Sequence, residues 1–260
     1  MHAPAAPPPI DPALLLLAYR SGIFPMADAR DDPEIFWVEP RKRAILPLDG
    51  FHCSHSLAKV LRRGTLTVTC NAAFDAVIEA CAGPRSDGDQ TWISGRIAQS
   101  YIGLHQLGQA HSIECWHDDE LVGGLYGVGF DRVFCGESMF SSRTNASKVA
   151  LAWLVAALRR GRAELLDCQF MTGHLASLGA KEISQAEYLD LLRAAQRPAV
   201  AEGDGLGEGL ALGAGLGAAE GLADGAALPA GFAALLEDAA GAGLSSSPGN
   251  FIAQSLTHTS

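Results

Sequence analysis

Residues 110–135 read as three strands in succession: apolar positions run through 110–116 and 120–130, the acidic turn His117-Asp118-Asp119 joins them, and a turn at Asp131 leads into 132–135. Links this short connect antiparallel neighbours, so the stretch is a meander. A helix over 145–160, closed by Gly161, and a strand over 164–169 follow. A meander, a long helix and a further strand make a mixed sheet, which confines the fold to the α+β or α/β class.

The remaining chain divides by composition and turn signals. Residues 1–12 are rich in Ala and Pro and read as a flexible leader. Asp11 before Pro12 fits the start of a helix that runs to about Arg20 and stops at Gly22. With short strand candidates at 36–38 and 44–46, it makes a small N-terminal lobe over 13–53. From 54 to 196 helices and strands alternate. A helix over 56–63 ends at Gly64, a strand covers 65–70, and Asn71 is expected to cap a helix through Cys81. Ser94 can cap a helix carrying Ile97, Tyr101, Leu104 and Leu107, and Ser184-Gln185-Ala186-Glu187 has the form of a capping box opening the last one. Residues 197–260 are nearly all Ala, Gly and Leu without a steady period. They read as a disordered tail, with 227–239 as a transient helix, and deletion of 201–260 is expected to leave activity nearly intact.

A formal charge of -10 argues against wide contact with nucleic acid, until its distribution is considered. Seven of the 29 acidic residues but one of the 19 basic ones lie beyond residue 196. Basic residues in the earlier part cluster at Arg41-Lys42-Arg43, Arg62-Arg63 and Arg159-Arg160 with Arg162, which are candidate phosphate contacts or simply solvated surface. Near the start no apolar run approaches the ~20 residues that span a bilayer, and no basic n-region precedes a cleavage site. No membrane association and a cytosolic location are expected. The six cysteines lack paired spacing and read as buried thiols.

The segment Phe134-Cys135-Gly136-Glu137-Ser138-Met139-Phe140-Ser141, with Thr144-Asn145-Ala146-Ser147-Lys148 after it, sets a carboxylate, hydroxyls, a Lys and apolar side chains beside one another. It reads as a binding cleft at a strand-to-helix junction. It resembles the leucyl/phenylalanyl-tRNA protein transferase family. So do Ala18-Tyr19-Arg20-Ser21-Gly22-Ile23-Phe24-Pro25, Thr91-Trp92-Ile93, His111-Ser112-Ile113-Glu114, Leu121-Val122-Gly123-Gly124-Leu125-Tyr126-Gly127-Val128, Leu166-Asp167-Cys168-Gln169 and Ala176-Ser177-Leu178-Gly179-Ala180. These motifs stand in the family's order across residues 13–192. The resemblance implies an N-acetyltransferase-like (GNAT-like) mixed-sheet domain at 54–196, and so an α+β protein with a small N-terminal lobe.

The resemblance further implies transfer of Leu or Phe, and less readily Met, from aminoacyl-tRNA to the N-terminal Arg or Lys of a protein, whose new N-terminus marks it for degradation. The tRNA ester is already activated, so neither ATP, metal nor any other cofactor is implied. Asp167 and Gln169, two apart on a strand, match the family's proposed proton-handling pair. Glu137 is the candidate for recognising the acceptor's cation by a charge-assisted hydrogen bond; a salt bridge to Lys148 or Arg143 is the plainer alternative. Leu125, Phe134, Met139 and Leu154 match the aminoacyl pocket, although on composition alone they would pass as core. Leu154 stands where members of the family can carry an aromatic, which leaves the preference between Phe and Leu open. Trp92 matches the site for the tRNA's terminal adenosine, where an aromatic can stack on the base, and Tyr101 on the following helix can add its hydroxyl to that site.

Rival chemistries are weaker. Gly136-Glu137-Ser138-Met139-Phe140 lacks the second glycine of a serine-hydrolase elbow. His52, Cys53 and His55 have no companion pair for zinc. An acyl-CoA-dependent N-acyltransferase would use the glycines at 123, 124, 127 and 129, and a noncatalytic RNA-binding adaptor would use the basic clusters.

Overall fold

The computed structural model describes residues 7–84, 91–197, 225 and 227–257. The N-terminal segment forms α1 (Pro12–Arg20), β1 (Phe24–Met26), β2 (Phe36–Val38) and β3 (Lys42–Ile45). Asp11 caps α1 by accepting hydrogen bonds from the Ala13 and Leu14 amides, with Pro12 in the first turn. Next come α2 (His55–Arg63), β4 (Thr67–Cys70), α3 (Phe74–Cys81) and α4 (Gly95–Gln106). The meander is β5 (Ala110–His117), β6 (Glu120–Phe130) and β7 (Val133–Ser141), followed by α5 (Ala146–Arg160) and β8 (Leu165–Gln169). A short α6 (Gly173–Ser177), β9 (Lys181–Ser184) and α7 (Gln185–Ala195) complete this part. The capping box at Ser184 and Glu187 is fully formed.

The main sheet has seven strands in the order β4-β5-β6-β7-β8-β3-β9. Its neighbours are antiparallel except β7 and β8, which run parallel and are joined by α5. This is the α+β mixed sheet that the meander and helix require. One strand of the expected lobe, β3, pairs with the main sheet. β3 enters the main sheet between β8 and β9, while β1 and β2 pair separately. A strand so inserted ties the N-terminal segment to the main sheet, while β1 and β2 form the small sheet of the N-terminal lobe.

The helix at residue 74 starts differently from its sequence reading. Asn71 adopts φ of 60° and spends its side chain on β5: its carbonyl accepts from the Ser112 amide and its amide pairs with His111. The amides just before the helix, those of Ala72 and Ala73, donate instead to Glu114, a fully buried carboxylate that also accepts from the hydroxyls of Thr69 and Ser112. A strand carboxylate thus fixes the chain where it enters the helix and places negative charge beside the positive end of the helix dipole.

The expectation of a structureless tail also differs from what is found. Residues 198–224 and 258–260 lie outside the described residues, but α8 (Ala227–Gly241) and α9 (Pro248–Thr257) are helices. They bury Leu228, Phe232, Leu235, Ile252 and Leu256 in the core that contains α5. Covered by the sheet on one side and by α8 and α9 on the other, α5 buries every residue from Val149 to Leu158, as a helix apolar all round must. Glycine serves close approach here rather than flexibility: a Cβ at Gly231 would lie 2.0 Å from the Ala157 carbonyl oxygen.

Candidate active site

The parallel pairing of β7 with β8 ends at Cys135 and Asp167. Immediately beyond it, residues Gly136–Met139 and Cys168–Phe170 line a cavity of about 400 Å³. Leu125, Met139, Leu151, Leu154, Leu166 and Leu175 supply apolar wall; Met26, Trp92 and Phe170 bring aromatic and thioether surface. The volume is in the range of small-molecule sites.

Glu137 enters this cavity through a β-bulge. Tyr126 pairs with Ser138 but Gly127 pairs with Gly136, so Glu137 is the extra residue on β7. A bulge re-aims a side chain and is common beside active sites. Gly127 permits it: a Cβ there would lie 2.3 Å from the Cys135 carbonyl oxygen and against the Phe134 ring. The carboxylate accepts hydrogen bonds from Tyr101 Oη at 3.0 Å and Gln169 Nε2 at 2.9 Å. Tyr19 hydrogen-bonds to Tyr101 and completes the polar cluster. All these donors are neutral, and among the described residues Glu137 has no cationic partner, neither Lys148 nor Arg143. Burial pushes its carboxyl up to about 7, against the downward pull of hydrogen bonds from Tyr19, Gln169 and Tyr101.

Asp167 is different. It is fully buried, forms no part of the cavity wall, and has its oxygens fully engaged. Arg43, itself 1% exposed, donates from Nε at 2.9 and 3.1 Å and from Nη2 at 2.6 Å. Tyr188 Oη donates at 3.0 Å, and the Gln169 backbone amide at 2.8 Å. The guanidinium lies between the rings of Phe24 and Tyr188, 4.8 and 4.4 Å from their centroids. Burial alone would lower the Arg43 pKa, but the charge and hydrogen bonds of Asp167 raise it overall. Gln169, held by Asp167, has φ of 61°, a conformation that costs a non-glycine residue about 1 kcal/mol or more. Its side chain then reaches Glu137 and the cavity.

Glu137, Gln169, Leu125, Met139, Leu154 and Trp92 therefore meet around one cavity. Three candidates stand elsewhere. Asp167 supports the site from behind. Phe134 is 1% exposed in the core and absent from the wall. Tyr101 is fully buried and donates the hydroxyl expected at the adenosine site to Glu137 instead. The basic clusters are partly consumed by ion pairs: Arg43 with Asp167, Lys42 with Glu182, and Arg160 with Asp238. Arg43, Tyr19 and Tyr188 are site residues that sequence reasoning missed. Tyr19 stands in a quoted motif and Arg43 in a quoted charge cluster, but nothing local says that either turns inward.

Other reactive side chains on the wall are muted. Burial pushes the Cys168 thiol well up, with Asp167 adding to it, and burial together with Lys148 lowers His174, keeping it neutral near pH 7. Among the described residues no group of three or more His, Cys, Asp and Glu side chains is arranged to hold a metal ion, and no helix is long and apolar enough to cross a membrane.

Two family models match the chain: the leucyl/phenylalanyl-tRNA protein transferase N-terminal domain at residues 9–41, and the leucyl/phenylalanyl-tRNA protein transferase at residues 45–193. A leucyl/phenylalanyl-tRNA--protein transferase of Novosphingobium aromaticivorans is 67% identical over 98% of both chains. One of Zymomonas mobilis is 58% identical over 72% of this chain and 69% of its own, and one of Cereibacter sphaeroides 59% identical over 70% and 83%. Among solved structures, L-PGS from Bacillus licheniformis aligns over 62% of this chain and 54% of its own at 13% identity, with a TM-score of 0.35. That structural likeness is too slight to bear on function, whereas the sequence matches are full and specific. The chain belongs to the leucyl/phenylalanyl-tRNA protein transferase family.

Proposed function

We propose that the protein transfers leucine or phenylalanine, and less readily methionine, from aminoacyl-tRNA to the α-amino group of proteins that begin with Arg or Lys. The observation that carries this reading is the Glu137 carboxylate, uncompensated by any cation in the wall of an apolar cavity, in a chain of this family. The reaction is aminolysis of an ester. The amine nitrogen bonds to the ester carbonyl carbon, the bond from that carbon to the ribose oxygen breaks, and one proton passes from nitrogen to the departing oxygen.

Glu137 suits the proton transfer. An α-amino group titrates at about 7.7 to 8.0, and a carboxyl at about 7 is matched to it as a general base. The α-ammonium first gives one proton to solvent; the ionised Glu137 then accepts a hydrogen bond from the neutral amine, takes one proton from its nitrogen as it attacks, and passes that proton to the ribose oxygen. Because Gln169 Nε2 is committed to Glu137, its Oε1 is left to accept from the attacking amine. Asp167 acts behind Gln169 as a positioning residue. The apolar wall takes the Leu or Phe side chain, and Trp92 stacks on the terminal adenine for about 1 to 3 kcal/mol. The modified N-terminus would mark the acceptor for degradation, in the cytosol where charged tRNA is found.

The test is transfer of labelled Leu from tRNA to a peptide that begins with Arg. Label should appear on the peptide, and disappear when tRNA is omitted or the peptide N-terminus is acetylated. Product formed from an acyl-CoA, or tRNA bound without transfer, would overturn the reading. In the same assay Leu154→Phe, which fills part of the wall with a larger ring, should lower Phe transfer about ten-fold relative to Leu transfer. An unchanged ratio would remove Leu154 from the side-chain pocket.

A further inference from the structure

We propose that Arg43 is a positioning residue for the transfer: acting through Asp167, it holds Gln169 in its left-handed backbone conformation and so fixes the Gln169 amide against Glu137. The inference rests on the reading of function given above and extends it to a residue outside the cavity wall.

The contacts form one continuous series. The Arg43 fork engages both oxygens of Asp167, Asp167 Oδ1 accepts the Gln169 backbone N–H, and Gln169 Nε2 donates to Glu137 Oε1. A planar, two-point donor fixes a carboxylate in rotation as well as position, which a lysine cannot do. Arg43 is itself fixed, by Nη1 donating to the Gly22 carbonyl at 3.1 Å and by the rings above and below it. The support is needed because Gln169 sits at φ of 61° without being glycine. Gln169 is also paired with Ala44 of β3, but its backbone N–H is held by Asp167 Oδ1, and with Asp167 free to turn that hold on the conformation is lost.

A solely architectural ion pair would affect folding and leave the chemistry of folded molecules alone. Positioning makes two further demands. First, kcat should fall without loss of tRNA affinity, since misplacement of a reacting group by a distant change can cost about 100-fold. Second, the acid limb of the pH–rate profile should move to higher pH, because Gln169 is one of the donors that hold the Glu137 carboxyl down. The groups facing Glu137 are Tyr19 from α1, Tyr101 from α4, and Gln169 with Asp167 from β8, and Cys135 lies close by on β7. Of these, only the β8 pair depends on Arg43.

The experiment compares wild type, Arg43→Met, Asp167→Asn and the double variant in the labelled-Leu assay, with thermal unfolding run in parallel. Arg43→Met and Asp167→Asn should each lose about 100-fold in kcat, with KM for aminoacyl-tRNA within about three-fold of wild type. The double variant should lie within about three-fold of Asp167→Asn, because the two residues act as one unit. A folded Arg43→Met with wild-type kcat and pH profile would overturn the inference. So would a further loss of about ten-fold in the double variant over Asp167→Asn, which would give Arg43 a role independent of Asp167. If Arg43→Met leaves too much buried charge to fold, the comparison of Asp167→Asn with the charge-free double variant decides. If that also fails, Arg43→Lys decides: about ten-fold lower kcat with a raised acid limb supports the inference, and a wild-type profile overturns it. A wild type that transfers nothing is separate from both, and counts against the reading of function.

Discussion

Glu137→Gln should lose transfer by about 100-fold or more and yet be more stable than wild type at pH 8. The two effects have one origin. The Glu137 carboxyl is buried among neutral donors and titrates at about 7, whereas in an unfolded chain it would titrate at about 4.3. Between those values the folded protein holds more protons than the unfolded one, so this group's contribution to stability falls as pH rises through the window. Above it, the folded state carries the full cost of the buried charge, on the order of 3 kcal/mol. Gln avoids that cost and keeps the geometry. Its Oε1 can accept from Gln169, and its amide can donate to Tyr101 once that hydroxyl turns towards Tyr19. Chemical denaturation at pH 4 and pH 8 checks this, with a gain of about 3 kcal/mol at pH 8 and almost none at pH 4. A variant that is less stable at pH 8, or one that still transfers at the wild-type rate, would refute the assignment of Glu137 as a strained base.

The second large effect concerns the C-terminal helices. Ending the chain after Gln196 should leave a protein that aggregates or unfolds well below the wild-type temperature, in contrast to the harmless deletion that composition suggests. α8 and α9 bury Leu228, Phe232, Leu235, Ile252 and Leu256, each side chain contributing about 1.5 to 3 kcal/mol by leaving water. Their removal uncovers Trp153, Ala157 and Leu61 as a new apolar face. A milder variant isolates the packing. The Phe232 ring lies 5.3 Å from that of Trp153, and Phe232→Ala should cost about 3 to 5 kcal/mol, or on the order of 10 °C in midpoint. Differential scanning calorimetry measures both. Wild-type midpoints in the truncated chain would mean that α8 and α9 add nothing to the core.

Local chemistry explains which parts of this fold could be read in advance. Asp11 with Pro12, Gly64, and Ser184 with Glu187 are caps whose donors and acceptors lie within four residues, and the turns at 117–119 and 131 fix the meander in the same way. What escaped depends on distant partners. Arg43 looks like part of an exposed basic run because its acceptor is 124 residues away. The bulge at Glu137 exists only relative to the register of β6, so no feature of 134–141 alone reveals it. The run of Ala and Gly at 227–241 has weak amphipathic character, and reads as loose until Gly231 is seen against the Ala157 carbonyl of α5. The cavity residues were legible through the family motifs. Which of them line the cavity and which stand behind it was not, because that is set by the distant partners each side chain finds, Arg43 for Asp167 and Tyr101 with Gln169 for Glu137.

The place of β3 in the sheet also has a consequence for biosynthesis. β8, which carries Asp167 and Gln169, is completed on one side by β7 and on the other by a strand made more than 120 residues earlier. Pairings across such distances form late, because the intervening loop must close before any contact rewards it. On the ribosome, residues 42–45 must therefore wait, with the Arg43 side chain still solvated, until β8 has emerged. The part of the site that β8 supplies, Asp167 and Gln169, is therefore expected to be the last to take its place, after the β6–β7 hairpin that carries Glu137.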